Sequence, residues 1–300
     1  MLALLLALTF ASSPAPVVAP APDTTGTPGL LVMAHGGDAA WNASVEAAVA
    51  PLRRRYPVAV AFGMADPRTL DQALDSLAAH GVERVAVVRL FLDGRSFLHQ
   101  TEFLLGLRPD PPAEPLLHGP HHAGGHGPAS EALAPLPHGM AVALSPEGLM
   151  QAEEVGAILA ARARAVSDDP ARESVLVLAH GAGDDTEDAR WIAAVEHLSG
   201  SLRDGFHSVR IETLREDWPA RRPDAERRIR AFVEAEVGEG RTVLVVPFRL
   251  AGFGPYHAVL DGLSYRANET GLLPHEAVTT WIERQYRALT AQLDAASAAG

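Results

Sequence analysis

Residues 30–38 read LLVMAHGGD and residues 175–184 read VLVLAHGAGD. Each is a short, unbroken apolar run closed by His-Gly. Such a run reads as a parallel strand covered on both faces, not as a half-exposed strand, which would alternate. A second pair follows at a similar interval, RVAVVRLFL at 84–92 and RTVLVVPFRL at 241–250. Between these anchors the same elements recur in the same order, so the chain is read as containing itself twice.

Working outward, each first strand leads into an amphipathic helix. Trp41, Val45, Val49 and Leu52 share one face of the first, and Ile192, Val195, Leu198 and Leu202 one face of the second. Strands are predicted next at 57–62 and 207–213. Helices follow with stripes at Leu70, Ala73, Leu74 and Leu77, and at Ile229, Phe232, Val233 and Val237. Third strands cover 82–91 and 242–249. Each half then closes with an extended run and a helix, AVAL (141–144) with 149–166 and GLLPH (271–275) with 276–294. Alternating strands and helices predict an α/β fold of two tandem lobes, each a parallel sheet with helices on both faces. The lobes are placed at 29–168 and 172–300, joined near SDDPARES at 167–174.

Residues 1–28 precede the first lobe. The apolar run MLALLLALTF is too short to span a bilayer and resembles the apolar part of a signal peptide. This predicts a periplasmic or secreted protein, or a cytoplasmic one if the leader is not a signal. No later run reaches the length of a membrane span. A Pro/Gly/His-rich insertion occupies about 108–138 and holds His118, His121, His122, His126 and His138. It reads either as a loose metal-binding tract or as a solvated linker.

The 300 residues hold 25 Arg, no Lys and 37 acidic residues, a net charge of −12. That argues against a nucleic-acid partner, which needs a basic face. Without lysine there is no P-loop or Schiff-base chemistry, and without cysteine no disulfide, thiolate-bound zinc or iron–sulfur cluster. Thirteen histidines remain as metal ligands and near-neutral acid–base groups.

In open parallel sheets, ligands bind at the carboxyl ends of the strands. His35 and His180 stand there by position alone, each followed by a Gly that lets a ligand approach the backbone. They can equally be structural residues at the start of the next helix. His99, in RLFLDGRSFLHQTEF (89–103), and His257, in PFRLAGFGPYHAVLDGL (247–263), come back to the same edge if each segment turns at its Gly. Paired with His35 or His180, each would hold a divalent ion with positions left open. The alternative is a surface helix, with Arg95 taking the inward position, and the distance from the strand reads as unequal in the two halves. After the second strands, AFGMADP (61–67) offers Asp66, and TLREDWP (213–219) offers Glu216 and Asp217. One of these can serve as a base or support a His; each can also be a helix N-terminal charge.

These segments resemble the class II tetrapyrrole chelatases, the sirohydrochlorin cobalt- and ferrochelatases of the CbiX/SirB family, in their long two-lobed form. The resemblance rests on LLVMAHGG, AFGMADP and VVRLFLDGRSFLH, and on VLVLAHGA, TLREDWP and VVPFRLAGFGPYH, and covers nearly all of 29–295. It implies a chelatase-like fold in both lobes. It also implies insertion of Co²⁺, Fe²⁺ or Ni²⁺ into a sirohydrochlorin-type tetrapyrrole. His35 and His180 would be the first metal-site histidines, His99 and His257 the second, with Glu216 as the assisting carboxylate. The chain departs from the pattern in the first lobe, where Gly63 or Met64 falls at the family glutamate and Arg89 at the proline. The spacing to the second histidine is stretched in both lobes. The alternative reading is an exported, non-catalytic protein that binds metal or tetrapyrrole on the same scaffold.

Overall fold

The computed structural model describes residues 26–113 and 133–299. Residues 1–25 of the expected leader and most of the histidine-rich insertion, His118 to His126 included, lie outside the described residues. Two four-stranded, all-parallel sheets form, as predicted. The first contains β1 (Gly29–Ala34), β2 (Val58–Phe62), β3 (Arg84–Leu90) and β4 (Ala141–Leu144), with α1 (Ala39–Arg53), α2 (Pro67–Ala78), α3 (Leu98–Leu104) and α4 (Glu154–Arg164) along the chain. The second contains β5 (Glu173–Ala179), β6 (Ser208–Thr213), β7 (Thr242–Phe248) and β8 (Arg266–Ala267). Its helices are α5 (Asp185–Leu198), α6 (Gly200–Arg203), α7 (Arg222–Gly238), α8 (Tyr256–Val259) and α9 (Glu276–Ala299).

Strand order is β2-β1-β3-β4 in one sheet and β6-β5-β7-β8 in the other. The chain steps to one side of the central strand and then returns to the other. The topological switch point therefore lies at the carboxyl ends of β1 and β5, directly before His35 and His180. Both central strands are wholly buried, which accounts for their unbroken apolar runs.

Alternation divides each sheet between two cores. Leu31 and Met33 face an outer core with Leu70, Leu74 and Leu77 of α2. Leu176 and Leu178 face another with Ile229 and Val233 of α7. The opposite faces share one inner core, in which Leu30, Val32, Val88 and Leu90 join Val175, Val177, Val246 and Phe248.

Two expectations need correction, and one feature of the packing is new. The fourth strand of the second sheet is the two-residue β8, paired with Leu244 and Val245, and not the run at 271–275. That run is apolar because Leu272 and Leu273 are core residues; their N–H groups donate to the carbonyls of Arg249 and Leu250 where the chain leaves β7. Leu202 lies on the separate short helix α6 and not on α5. The closing helices are also exchanged: α9 lies against β3, β4 and α1 of the first lobe, and α4 against β7 and α6 of the second. Tyr286 of α9 donates to the Pro28 carbonyl at 2.7 Å, and its ring lies 4.3 Å from that of Tyr56.

Candidate functional site at the paired sheet edges

The sheet registers superimpose the two edges. Ala34 pairs with Phe62 and Leu90, and Ala179 with Thr213 and Phe248. His35 and His180 are each the next residue after these pairs. Counting from them, Asp66 and Asp217 each lie four residues beyond the second strand, and His99 and His257 each nine residues beyond the third. The spacing that reads as unequal from sequence is therefore equal, because β3 and β7 end at equivalent residues.

Each histidine turns its Nδ1 onto the carbonyl of its own glycine, at 2.8 Å for His35 and 2.9 Å for His180. The glycines are required: φ is +81° at Gly36 and +84° at Gly181. A Cβ on Gly181 would also stand 2.6 Å from Asp188 Oδ1. The surroundings then diverge. His35 meets the Trp41 ring at 6.3 Å. His180 is enclosed by Trp191 and Trp218, and its Nε2 lies 3.1 Å from Asp217 Oδ2.

In the second lobe, Arg215 fixes the loop after β5. It adopts φ +56° and donates to the carbonyls of Ala182 and Gly183 and to Asp185. The buried Asp188 accepts from Ala182 N–H and Thr213 Oγ1. Trp218 lies so close to Gly183 that a Cβ there would meet Nε1 at 2.2 Å. The carboxylate expected to do chemistry, Glu216, is largely buried and takes a hydrogen bond from Arg249. Burial alone would lower the Arg249 pKa, but Tyr256 and Glu216 outweigh it and raise it.

The expected second histidines turn to local partners. His99 Nε2 lies 3.0 Å from the Asp110 carbonyl oxygen and 3.5 Å from the Asp110 carboxylate. His257 Nε2 lies 3.4 Å from Glu269, with its ring 4.6 Å from Phe253. Asp66 caps α2 through the Arg68 N–H; burial would raise its pKa, but hydrogen bonds and charge from Arg68 bring it below the ordinary value. Among the described residues, no group of three or more His, Cys, Asp or Glu is placed to hold a metal ion.

Arg95, read as a rival to His99, instead crosses between lobes. It pairs with Glu187 of α5, while Arg190 of α5 pairs with Asp93. The sequence reading gave no role to Arg89, which is fully buried. Its guanidinium donates to the carbonyls of Ser145 (3.2 Å), Ser96 (2.6 Å) and Gly94, anchoring the loop after β3. Burial lowers its pKa to about 10, so it stays charged at neutral pH. The signal was available as an arginine inside an otherwise apolar strand.

Residues 29–99 match the CbiX family model, a segment running from β1 into α3 and containing both His35 and His99. Among solved structures, SirB from Bacillus subtilis with Fe³⁺ is 13% identical, with a TM-score of 0.62 over 89% of this chain and 97% of that one. The sirohydrochlorin chelatase SirB from B. subtilis subspecies spizizenii in complex with cobalt is 13% identical, with a TM-score of 0.54 over 86% and 93%. A multi-domain protein of Deinococcus radiodurans with structural similarity to chelatases is 20% identical, with a TM-score of 0.52. It matches over 87% of this chain, which spans about half (54%) of that longer protein. No curated protein matches the sequence. The two lobes thus have the chelatase-like fold of CbiX/SirB type that the sequence motifs implied.

Proposed function

We propose that this chain, whose first lobe carries the CbiX match and whose two lobes share the SirB fold, inserts a divalent metal ion into a sirohydrochlorin-type tetrapyrrole. Co²⁺, Fe²⁺ or Ni²⁺ is the second substrate. The observation that carries the reading is the position of His35. It follows the buried central strand at the switch point, with a glycine at positive φ beside it, inside the matched segment. Insertion exchanges two pyrrole N–H protons for one M²⁺, so the site must meet the ion and help remove protons. Neutral imidazole suits these metals, and the macrocycle nitrogens supply further ligands. His99, in the same matched segment, is the candidate second ligand or proton acceptor once it leaves Asp110.

The test is an anaerobic insertion assay with sirohydrochlorin and Co²⁺, followed by the change in macrocycle absorption. The wild-type chain is expected to exceed the spontaneous rate, and His35→Ala to lose on the order of 10²-fold or more, the usual weight of a positioned proton acceptor. Insertion by His35→Ala at the wild-type rate would remove His35 from the mechanism. Metal binding with no rate above background would leave a non-catalytic binding protein.

A further inference from the structure

The loop between β3 and α3 meets the start of α5 through four charged side chains. Asp93 and Arg95 come from the loop, Glu187 and Arg190 from the first two turns of α5. Arg95 gives its two terminal nitrogens to the two oxygens of Glu187. Arg190 donates to Asp93 and, from Nε at 3.0 Å, to Glu187. The four members are not held alike. The Asp93 side chain is only 13% exposed and also accepts the Arg95 N–H at 3.0 Å, so it belongs to the turn of the loop. Glu187 is 39% exposed and its carboxylate rests on the two arginines; the Arg95 side chain is 55% exposed.

This cluster stands beside the sheet edges. Leu90, at the end of β3, pairs with Ala34, so the loop that carries Asp93 and Arg95 leaves the edge on which His35 lies. His99 follows four residues after Arg95, and α5 follows the His180 loop. The loop is fixed from beneath, because Arg89 holds the carbonyls of Gly94 and Ser96, one on each side of Arg95. The Arg95 backbone is thus anchored while its side chain stays open to solvent. The chain as a whole carries a net charge of −12, which repels an anionic ligand unless positive charge is gathered where that ligand must sit.

We propose that Arg95 and Arg190 form the seat for a carboxylate on the rim of the macrocycle, and that Glu187 occupies this seat in the free protein. The proposal rests on the tetrapyrrole reading above and names the residues that select an acid-bearing ring. A sirohydrochlorin-type ring carries acetate and propionate arms around its rim. With its nitrogens at the His35 edge, it presents those arms to the loops around that edge. An ion pair as exposed as Arg95–Glu187 is worth at most about 1 kcal/mol, so Glu187 is cheaply displaced. The incoming carboxylate inherits hydrogen bonds from two guanidinium groups already set in place, which reduces the ordering cost of binding. A ring with uncharged arms has nothing to exchange for Glu187.

The test is fluorescence titration of metal-free sirohydrochlorin into the full chain, comparing wild type with Glu187→Gln, Arg95→Gln and Arg95→Lys. The methyl ester of the same ring is the uncharged probe. Glu187→Gln empties the seat and should lower Kd about threefold or more, while Arg95→Gln should raise it about tenfold, the weight of one charge-assisted hydrogen bond. Arg95→Lys should recover part of that loss, and the ester should bind all four proteins alike. Glu187→Gln and Arg95→Gln break the same contact between lobes, so a contact that only fastens the lobes together moves Kd in one direction for both. Shifts of the same sign, unchanged Kd values, or equal shifts with the ester would overturn the proposal. The insertion assay reports separately. Opposite Kd shifts without insertion would keep the seat and remove the reaction; insertion with Kd unmoved would keep the reaction and remove the seat. A wild-type chain that does not bind sirohydrochlorin would remove both.

Discussion

Asp217 and Asp66 occupy the same register, four residues beyond β6 and β2, yet only Asp217 meets a histidine. Asp66 turns back to cap α2 and pairs with Arg68. The two therefore differ in what their removal costs. Asp66→Ala deletes an N-cap and should lower stability by about 0.5–2 kcal/mol. Asp217→Ala breaks a pair that is largely open to solvent on the aspartate side, and should cost less than about 1 kcal/mol. Urea unfolding of both variants checks the order; the reverse order would mean that Asp217 holds the His180 loop in place.

Arg89 supports a stronger expectation. Its three carbonyl partners are presented by the loop after β3 and the end of β4, and Gly94 and Gly148 touch there backbone to backbone. In Arg89→Met the carbonyls lose a charged donor, at about 1–3 kcal/mol for each buried acceptor left unpaired. Relaxation of the loop recovers part of this, so a net loss of about 3–5 kcal/mol is expected. The measured quantity is the urea midpoint at constant slope. A change below about 1 kcal/mol would show that the loop holds itself.

How far the sequence discloses this structure depends on whether a feature is local. The strands β1 and β5 are legible because burial on both faces leaves unbroken apolar runs at 30–34 and 175–179. The stripe Leu70, Ala73, Leu74, Leu77 is legible because all four are buried on one helix face. His35 and His180 follow from strand ends alone. β8 is too short to carry a pattern, and Leu272 and Leu273 mimic a strand because they are buried for another reason. The partners of Arg89 and Arg249 lie on loops distant in sequence, so hydropathy marks the arginines as unusual but not what they hold. The helix exchange leaves no trace either: an apolar stripe says that a face must be covered, not which sheet covers it.

Acid should loosen the seam between the lobes. Trp281 Nε1 and Arg284 donate to Glu147, and Arg284 also reaches Glu154. Burial would raise the Glu147 pKa, but these donors outweigh it and hold it below the ordinary value. For Glu154 the Arg284 hydrogen bond is the largest influence and also lowers it. With folded pKa values below unfolded ones, the unfolded chain binds more protons at acid pH. The stabilisation is complete above the ordinary carboxylate range and is lost as pH falls through the lowered folded values. Unfolding free energy measured between pH 6 and 3 should fall with acidification, and the fall should be shallower in Glu147→Gln. An unchanged slope would place the acid sensitivity elsewhere.

The exchanged helices make a sharper prediction about cooperativity. Trp281, Ile282, Tyr286 and Leu289 of α9 belong to the inner core that also holds β3 and α1, and Ile158 and Leu159 of α4 belong to it beside β7. Each lobe's sheet therefore relies on a helix supplied by the other half of the chain. A fragment of residues 26–168 keeps α1 on the inner face of its sheet but leaves β3 and β4 without α9, and carries α4 without β7 to cover; residues 169–300 face the mirror problem. Neither should show near-ultraviolet circular dichroism or a cooperative urea transition alone, while an equimolar mixture should recover both and elute as a one-to-one complex. In the intact chain, Trp281→Ala should cost about 3–5 kcal/mol and shift a single transition that involves both lobes. Two separated transitions, or one fragment folding without its partner, would show that the outer cores suffice and that the exchange is incidental to stability.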